Sequence, residues 1–219
     1  VLSEEWKEKL QVIKTNTPRI VIENYSSIHR ECLTRKNHNN KNILFLGFIT
    51  ELKGCYDIPE IAQKVIEQNN NVKFILAGSG EVEKLKGIIS EKGISQHFSF
   101  PGWVKKAEKE NLLKNADIFF LPSYTEAMPM SILEAMGYGL PIVTTNVGGI
   151  PQLVDEGKSG YMVEPGDING FAKSILSLIG DDELIYNMGK EGLEKANEKY
   201  SLDKHLEKVG TLYKSVFRE

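Results

Sequence analysis

Two glutamates eight residues apart, Glu126 and Glu134, lie in the stretch YTEAMPMSILEAMGYGLPIV, residues 124–143. Between them, Pro129 suits the first turn of a helix, where its missing N–H would be unpaired anyway. The helix then runs through Ser131, Leu133 and Met136, and Gly137 and Gly139 end it. Glu126 therefore belongs to the loop before the helix and Glu134 to the helix itself, slightly beyond its first turn. The two carboxylates would flank the backbone N–H groups of residues 128–131. With the positive helix end, those N–H groups make a site for an anion such as a phosphate. Carboxylates only accept hydrogen bonds, so they would take hydroxyls on either side of that phosphate. A molecule with a diphosphate in the middle and a diol at each end, a nucleotide sugar, meets this description. A glutamate in a turn followed by another on a helix flank gives the same spacing, and spacing alone leaves both readings open.

The elements that must hold these residues alternate regularly. Apolar runs at 19–23, 42–47, 72–78, 97–102, 117–122, 141–145 and 160–163 read as strands. They are almost continuously apolar, as expected of parallel strands buried on both faces. Helical patterns fill 57–69, 81–92, 105–115, 130–138, 167–180, 182–198 and 202–217. This alternation predicts an α/β fold, a doubly wound, Rossmann-like parallel sheet. In such a sheet, ligands bind beyond the carboxyl ends of the strands. Five loops follow strands and are expected to face one crevice: GFITELKG (47–54), GSGE (78–81), PGWV (101–104), PSYTEAMPMS (122–131) and NVGGIPQ (146–152).

Composition narrows the classes. The 219 residues are 41% hydrophobic and 26% charged, ordinary for a globular protein that buries a sizeable core. A net charge of -3 provides no general attraction to nucleic acid, which is excluded as a partner. Cys32 and Cys55 form no CxxC pair and no disulfide framework, pointing to a reducing, cytoplasmic compartment. The histidines at 29, 38, 97 and 205 lack metal-ligand spacing, so no metal is expected. No apolar run approaches the roughly 18 residues that span a bilayer; peripheral contact with the inner face of a membrane stays open. GSGE opens a helix after a strand but lacks the third glycine of a dinucleotide fingerprint, so NAD is not expected. Ser3 followed by Glu4 and Glu5 reads as a helix start, as does Asp181-Asp182-Glu183. His97, at a strand start, reads as structural.

The run PSYTEAMPMSILEAMGYGLPIVTTNVGGIPQLVDEGKSGYMVEPGD (122–167) resembles the C-terminal half of the GT-B retaining glycosyltransferases of family 4. The likeness includes the E-x7-E pair, the GLPIV strand, the GGIP loop and the PGD segment. LGFITELKG resembles the family's first glycine loop, FILAGSGE the second, and PGWV the base-contacting turn. The segment VLSEEWKEKLQVI…RIVIEN resembles the end of the acceptor-binding N-terminal domain and the hinge. The resemblance thus implies that residues 1–24 are the tail of that domain and 25–219 a nucleotide-sugar-binding domain. The final helix resembles the one that crosses back to the partner domain.

Function and site residues follow as expectations from that resemblance. The complete enzyme would transfer a hexose from a nucleotide sugar, UDP-linked by default, to a glycan or lipid-linked acceptor with retention. It would use no metal or other cofactor, and a donor phosphate oxygen would serve as base. Glu126 and Lys53 take the catalytic roles. Glu134 would hold the ribose hydroxyls, and Glu126 the donated sugar with the backbone of Ala127, Met128, Pro129 and Met130. Gly47, Gly78, Gly80, Gly102 and Val104 complete the donor site. Phe48 stands where the family usually carries an arginine on the diphosphate, and Lys105 or Lys106 are candidate substitutes. Gln152 stands where a glutamate is usual. Two alternatives remain, a GT-B sugar-nucleotide epimerase and a non-catalytic nucleotide-sugar-binding module.

Overall fold

The structure, a computed structural model, describes residues 1–13, 19–33 and 40–216. Its centre is a six-stranded parallel sheet: β1 Lys41–Leu46, β2 Val72–Ala77, β3 Phe98–Gly102, β4 Ile118–Leu121, β5 Ile142–Thr145 and β6 Gly160–Val163. The spatial order is β3-β2-β1-β4-β5-β6. Ile43 pairs with Phe74 on one side and Ile118 on the other, and Ile142 pairs with Phe119 and Gly160. The expected doubly wound sheet is therefore present. Its central strands carry the continuous apolar runs this requires: Ile43, Leu44, Phe45 and all of β4 and the Ile142–Val143 pair of β5 are shut off from water.

The helices are α1 Glu4–Lys9, α2 Ile58–Gln68, α3 Val82–Glu91, α4 Lys106–Asn115, α5 Met130–Gly137, α6 Ile150–Leu153, α7 Ile168–Ile179, α8 Asp182–Tyr200 and α9 Leu202–Val216. Both anticipated helix starts are capped. Ser3 accepts from the Trp6 N–H at 3.3 Å, and Asp181 accepts from the Leu184 N–H at 2.9 Å. The expected loop 146–152 ends in a one-turn helix, α6. Pro151 sits in its first turn, and Ile150 and Leu153 bury completely beneath it.

One expected strand is corrected. Residues 19–23 are extended but join no sheet. Among the described residues their backbone meets Val1, whose ammonium lies 3.0 Å from the Ile20 carbonyl and whose carbonyl takes the Ile22 N–H at 3.0 Å, and the His205 ring, 2.8 Å from the Glu23 carbonyl. β-branched composition favours a strand only where a neighbouring ladder exists, and Ile20 is exposed here.

Helix α5 carries Glu134, and its position is fixed from below and at both ends. Ile132, Leu133, Ala135 and Met136 bury completely against the sheet and α8. Asn24 donates to the Met128 carbonyl at 3.1 Å just before the helix starts. The His29 N–H reaches the Gly137 carbonyl at 2.8 Å at its other end. The turn that follows lies so close to α8 that a Cβ on Gly189 would fall 2.0 Å from the Gly139 carbonyl oxygen.

Two helix-interior glycines differ in the space around them. Gly87 in α3 has nothing within 4 Å of a Cβ. Gly87→Ala should stabilise the protein by about 0.5–1 kcal/mol, because alanine loses less backbone entropy on folding. Gly189→Ala should destabilise it by about 1–3 kcal/mol, since α8 and the turn must separate. Urea unfolding of the two variants reads the sign directly, and equal midpoints would contradict this packing of α5.

Candidate active site

The strand order reverses between β1 and β4. Chains leaving the carboxyl ends of those two strands diverge, and a crevice opens between them. The cleft there encloses about 440 Å³ and is lined by residues 46–48, Lys53, Ala77, Gly78, Trp103, Val104, Lys109, Glu126, residues 129–131 and Glu134. Four of the five expected loops contribute to it. The fifth, 146–152, opens instead onto a separate hollow of about 610 Å³ with Trp6, Lys9, Tyr124 and Thr125, on the other side of Glu126. It supports the cleft from behind. Gly148, at φ 59°, lies so near the Glu126 carbonyl that a Cβ would come within 1.7 Å of the oxygen, and the Gly149 N–H donates to the Ala127 carbonyl at 2.8 Å.

Lys53 ends a tight 3₁₀ turn, Glu51–Lys53, and reaches across the crevice from the β1 side to the β4 side. Its Nζ lies 2.6 Å from Glu126 Oε1, which also accepts from the Ser123 hydroxyl at 2.8 Å. The Glu126 side chain is only 7% exposed, and a carboxylate this enclosed stays ionised at low cost only where such donors surround it. The second glutamate is also paired. Lys109 of α4 places its Nζ 2.6 Å from Glu134 Oε1, with both side chains a quarter to a third exposed.

Pro129 is the residue before α5 rather than its first, with φ -69° and ψ 118°. Its ring provides no capping acceptor, so no side chain caps the first turn of α5, whose Met130 and Ser131 line the cleft.

The remaining expected residues divide. Gly47, Gly78, Val104, Pro129 and Met130 line the cleft. Gly78 is required by a close approach: a Cβ there would come 1.7 Å from the Gly47 carbonyl oxygen. Gly80 pairs with Ile49 and Gly102 takes the left-handed turn at φ 76°, so both shape loops rather than line the cleft. Ala127 and Met128 also lie outside its lining; Met128 buries its side chain in the core. Phe48 and Trp103 project into the cleft from neighbouring loops, their ring centroids 5.9 Å apart.

Neither expected substitute for the missing arginine reaches the cleft. Lys105 precedes α4, its N–H bound to Glu108 Oε2 at 2.8 Å, and Lys106 lines a smaller hollow of about 250 Å³ with Tyr25, Ser26, His29 and Tyr138. The lysine that does enter is Lys109, one turn further along. The Lys109–Glu134 pair forms the partition between that hollow and the cleft. No local pattern along the chain signals it, because the pairing joins residues 25 apart on two different helices.

Other reactive groups are spoken for. Cys55 is fully buried and its thiol is pushed up to about 12 by that burial, so it is no nucleophile at neutral pH. His97 is buried against the Val72 carbonyl at 3.0 Å, the structural role expected. Tyr124 donates to Asp57 at 2.8 Å; burial raises the Asp57 carboxyl while that hydrogen bond opposes the rise. Among the described residues no group of three or more His, Cys, Asp or Glu side chains converges on one point, and His38 lies outside them. No described helix is long and apolar enough to cross a membrane.

Residues 33–195 match the model of the family described as glycosyl transferases group 1. The chain is 29% identical over 184 residues to the N-acetyl-alpha-D-glucosaminyl L-malate synthase of Bacillus anthracis, covering 84% of this chain and 48% of that protein. It is 31% identical over 188 residues to the UDP-Gal:alpha-D-GlcNAc-diphosphoundecaprenol alpha-1,3-galactosyltransferase of Escherichia coli, again covering 84% and 48%. It therefore spans about half the length of the curated relatives it matches. Among solved structures, a substituted form of S. aureus TarM in complex with fondaparinux, alpha-GlcNAc-glycerol and UDP superposes with a TM-score of 0.85 at 25% identity, covering 97% of this chain and 43% of that one. The doubly wound sheet is thus that of the GT-B glycosyltransferases, and this chain belongs to the glycosyl transferases group 1 family.

Proposed function

We propose that this chain is the donor-binding part of a retaining hexosyltransferase that uses a nucleotide sugar, UDP-linked by default, and a glycan or lipid-linked acceptor. One observation carries the reading: two lysine–carboxylate pairs flank the uncapped N-terminal turn of α5 in a single cleft. A diphosphate fits between them. The helix N-terminus and Lys53 neutralise the charge that grows on it as the bond to the sugar breaks. Glu134 takes the ribose hydroxyls, and Glu126 those of the donated sugar. The acceptor oxygen then bonds to the sugar carbon from the side the diphosphate leaves, and its proton passes to a phosphate oxygen of the leaving nucleotide. No cofactor is assigned; the cationic work falls to Lys53 and the helix. The relatives named above support the chemistry. One is a galactosyltransferase named for a UDP-linked donor and a diphosphoundecaprenol-linked acceptor, and TarM was crystallised with UDP. A lipid-linked acceptor would bring the enzyme to the inner face of a membrane.

The acceptor and the closing wall of the cleft are assigned to residues beyond these 219, in keeping with the half-length match to relatives. The chain alone should then bind UDP with a dissociation constant on the order of 0.1–1 mM. It should transfer no radiolabelled hexose, because catalysis by positioning needs both walls. Transfer to any acceptor by this chain would contradict that division.

Glu134→Gln should weaken UDP binding by about 1–3 kcal/mol, because an amide offers one accepting oxygen in place of two. Titration calorimetry showing equal affinity for parent and variant would remove the ribose assignment. Lys53→Ala should weaken UDP much more than uridine, which has no phosphate for the ammonium to meet. Equal losses for both ligands would instead make Lys53 a residue of loop packing.

A further inference from the structure

The hollow of about 610 Å³ on the other side of Glu126 has no part in the donor reading above. Its size is that of a small-molecule cleft, about 300–1,000 Å³. Residues of α1 form one wall and the 146–152 loop another, and Tyr124 and Thr125 complete it. Among the described residues, Glu126 is the one that lines both this hollow and the donor cleft. Both walls are held in place. Ser3 is shut off from water, and a Cβ on Gly149 would come 3.2 Å from its side chain. The same Ser3 hydroxyl caps α1 by accepting from the Trp6 N–H, so the contact that docks the helix also fixes where it starts. On the facing loop, Gly148 and Gly149 press against the carbonyls of Glu126 and Ala127.

The lining joins two kinds of group. Trp6 and Tyr124 remain 38% and 43% exposed, so both present ring surface to the hollow. Each ring is tethered. Lys9 stands over the Trp6 ring at 5.4 Å and pairs with Glu5, while the Tyr124 hydroxyl donates to Asp57 at 2.8 Å. Beside the rings are the amides of Asn146 and Gln152. Asn146 gives an N–H to Glu164 at 2.5 Å, which leaves its carbonyl oxygen as an acceptor. The face of an aromatic ring is electron-rich and attracts polarised C–H groups, and amides at its edge exchange hydrogen bonds with hydroxyls. A pyranose has this pattern, a face of C–H groups with a rim of hydroxyls. A phosphate does not, because the lining sets Glu5, Glu8 and Glu126 against Lys9, and an anion there meets like charge.

We propose that this hollow is a subsite for one uncharged sugar unit of a glycan acceptor, with Trp6 as its platform and Gln152 and Asn146 as partners of its hydroxyls. The inference rests on the nucleotide-sugar reading above and adds to it what the acceptor carries. Glu126, which on that reading holds the donated sugar, stands at the junction of the two spaces. A glycan seated in the hollow therefore lies beside the sugar it is to receive, while its reacting hydroxyl is left to the residues beyond these 219. Gln152 suits this role where the usual glutamate would not serve as well, because an amide both donates to and accepts from hydroxyls and adds no charge.

The test titrates the chain with neutral sugars, namely methyl α-glucopyranoside, methyl α-galactopyranoside, N-acetylglucosamine and lactose, and with glucose 6-phosphate as the anionic probe. Saturation-transfer NMR should show at least one neutral sugar binding with a dissociation constant on the order of 1–10 mM, undiminished by UDP. Glucose 6-phosphate should bind about tenfold more weakly. Trp6→Ala and Gln152→Ala should each weaken the neutral sugar by about threefold to tenfold and leave UDP affinity unchanged, and Trp6→Phe should retain the sugar. In a Trp103→Phe background Trp6 is the remaining tryptophan, and its emission should respond to the sugar. Displacement of the sugar by UDP, or binding that survives both Trp6→Ala and Gln152→Ala, would overturn the proposal by placing the sugar elsewhere. No response to any neutral probe at about 100 mM would overturn it as well, leaving the donor reading intact. A chain that binds the sugars but no UDP at millimolar concentration would instead sink the donor reading, and the acceptor role with it.

Discussion

The structure depends on a single topological constraint, the reversal of strand order between β1 and β4. On one side of that boundary the chain winds β1 to β2 to β3, and on the other β4 to β5 to β6. No loop can cover the carboxyl ends of β1 and β4 together, and a crevice is the geometric result. The Lys53–Glu126 pair spans it, tying a loop from β1 to a loop from β4 at 2.6 Å. Every other feature of the cleft is arranged around that bridge. Helix α5 follows the β4 loop, the 146–152 loop supports it from behind, and the β2 and β3 loops extend it toward Trp103.

Helix α5 joins two requirements that normally compete. Its underside is as apolar as any core helix, while its first turn must stay open to a polar ligand. The sequence separates these along the helix: Ile132, Leu133 and Met136 face the sheet, and Pro129 declines to cap the start. A serine or aspartate in place of Pro129 would fill the N–H groups with its own oxygen. Helix geometry does the remaining work. Glu134, five residues into α5, lies over the turn N-terminal to its own backbone and so comes back toward the cleft.

Much of this was legible in the chain. Continuous apolar runs such as NILFL and IFFL announced buried parallel strands, and their alternation with amphipathic helices announced the winding. The loops that matter were visible because glycine and proline punctuate strand ends. What stayed hidden was contact between distant residues. RIVIE has strand composition but no neighbouring ladder to join, which only the assembled sheet reveals. Lys109 looks like any solvated helix lysine until α4 and α5 are set side by side. Lys105 and Lys106 look equivalent to it in sequence, and a single turn of helix separates the residue that enters the cleft from those that do not. The 146–152 loop follows a strand like the other four, yet its glycines press it behind Glu126 rather than over the crevice.

On the donor reading, the two ion pairs let a cleft whose charged lining is neutral in sum discriminate between ligands. Two lysines face two glutamates, so a ligand gains nothing from net charge and must exchange partners instead. On the donor reading, a phosphate alone would draw Lys53 away and leave Glu126, enclosed and ionised, short of a donor, at a cost of a few kcal/mol. A sugar alone would satisfy the carboxylates but leave the lysines competing for them. Only a ligand that brings acceptors for the cations and hydroxyls for the carboxylates together completes both exchanges. The more exposed Lys109–Glu134 pair, worth on the order of 1 kcal/mol, yields readily. The enclosed Lys53–Glu126 pair resists. Discrimination is therefore concentrated where the bond to the donated sugar would break, and partial ligands are rejected by the groups they fail to re-pair.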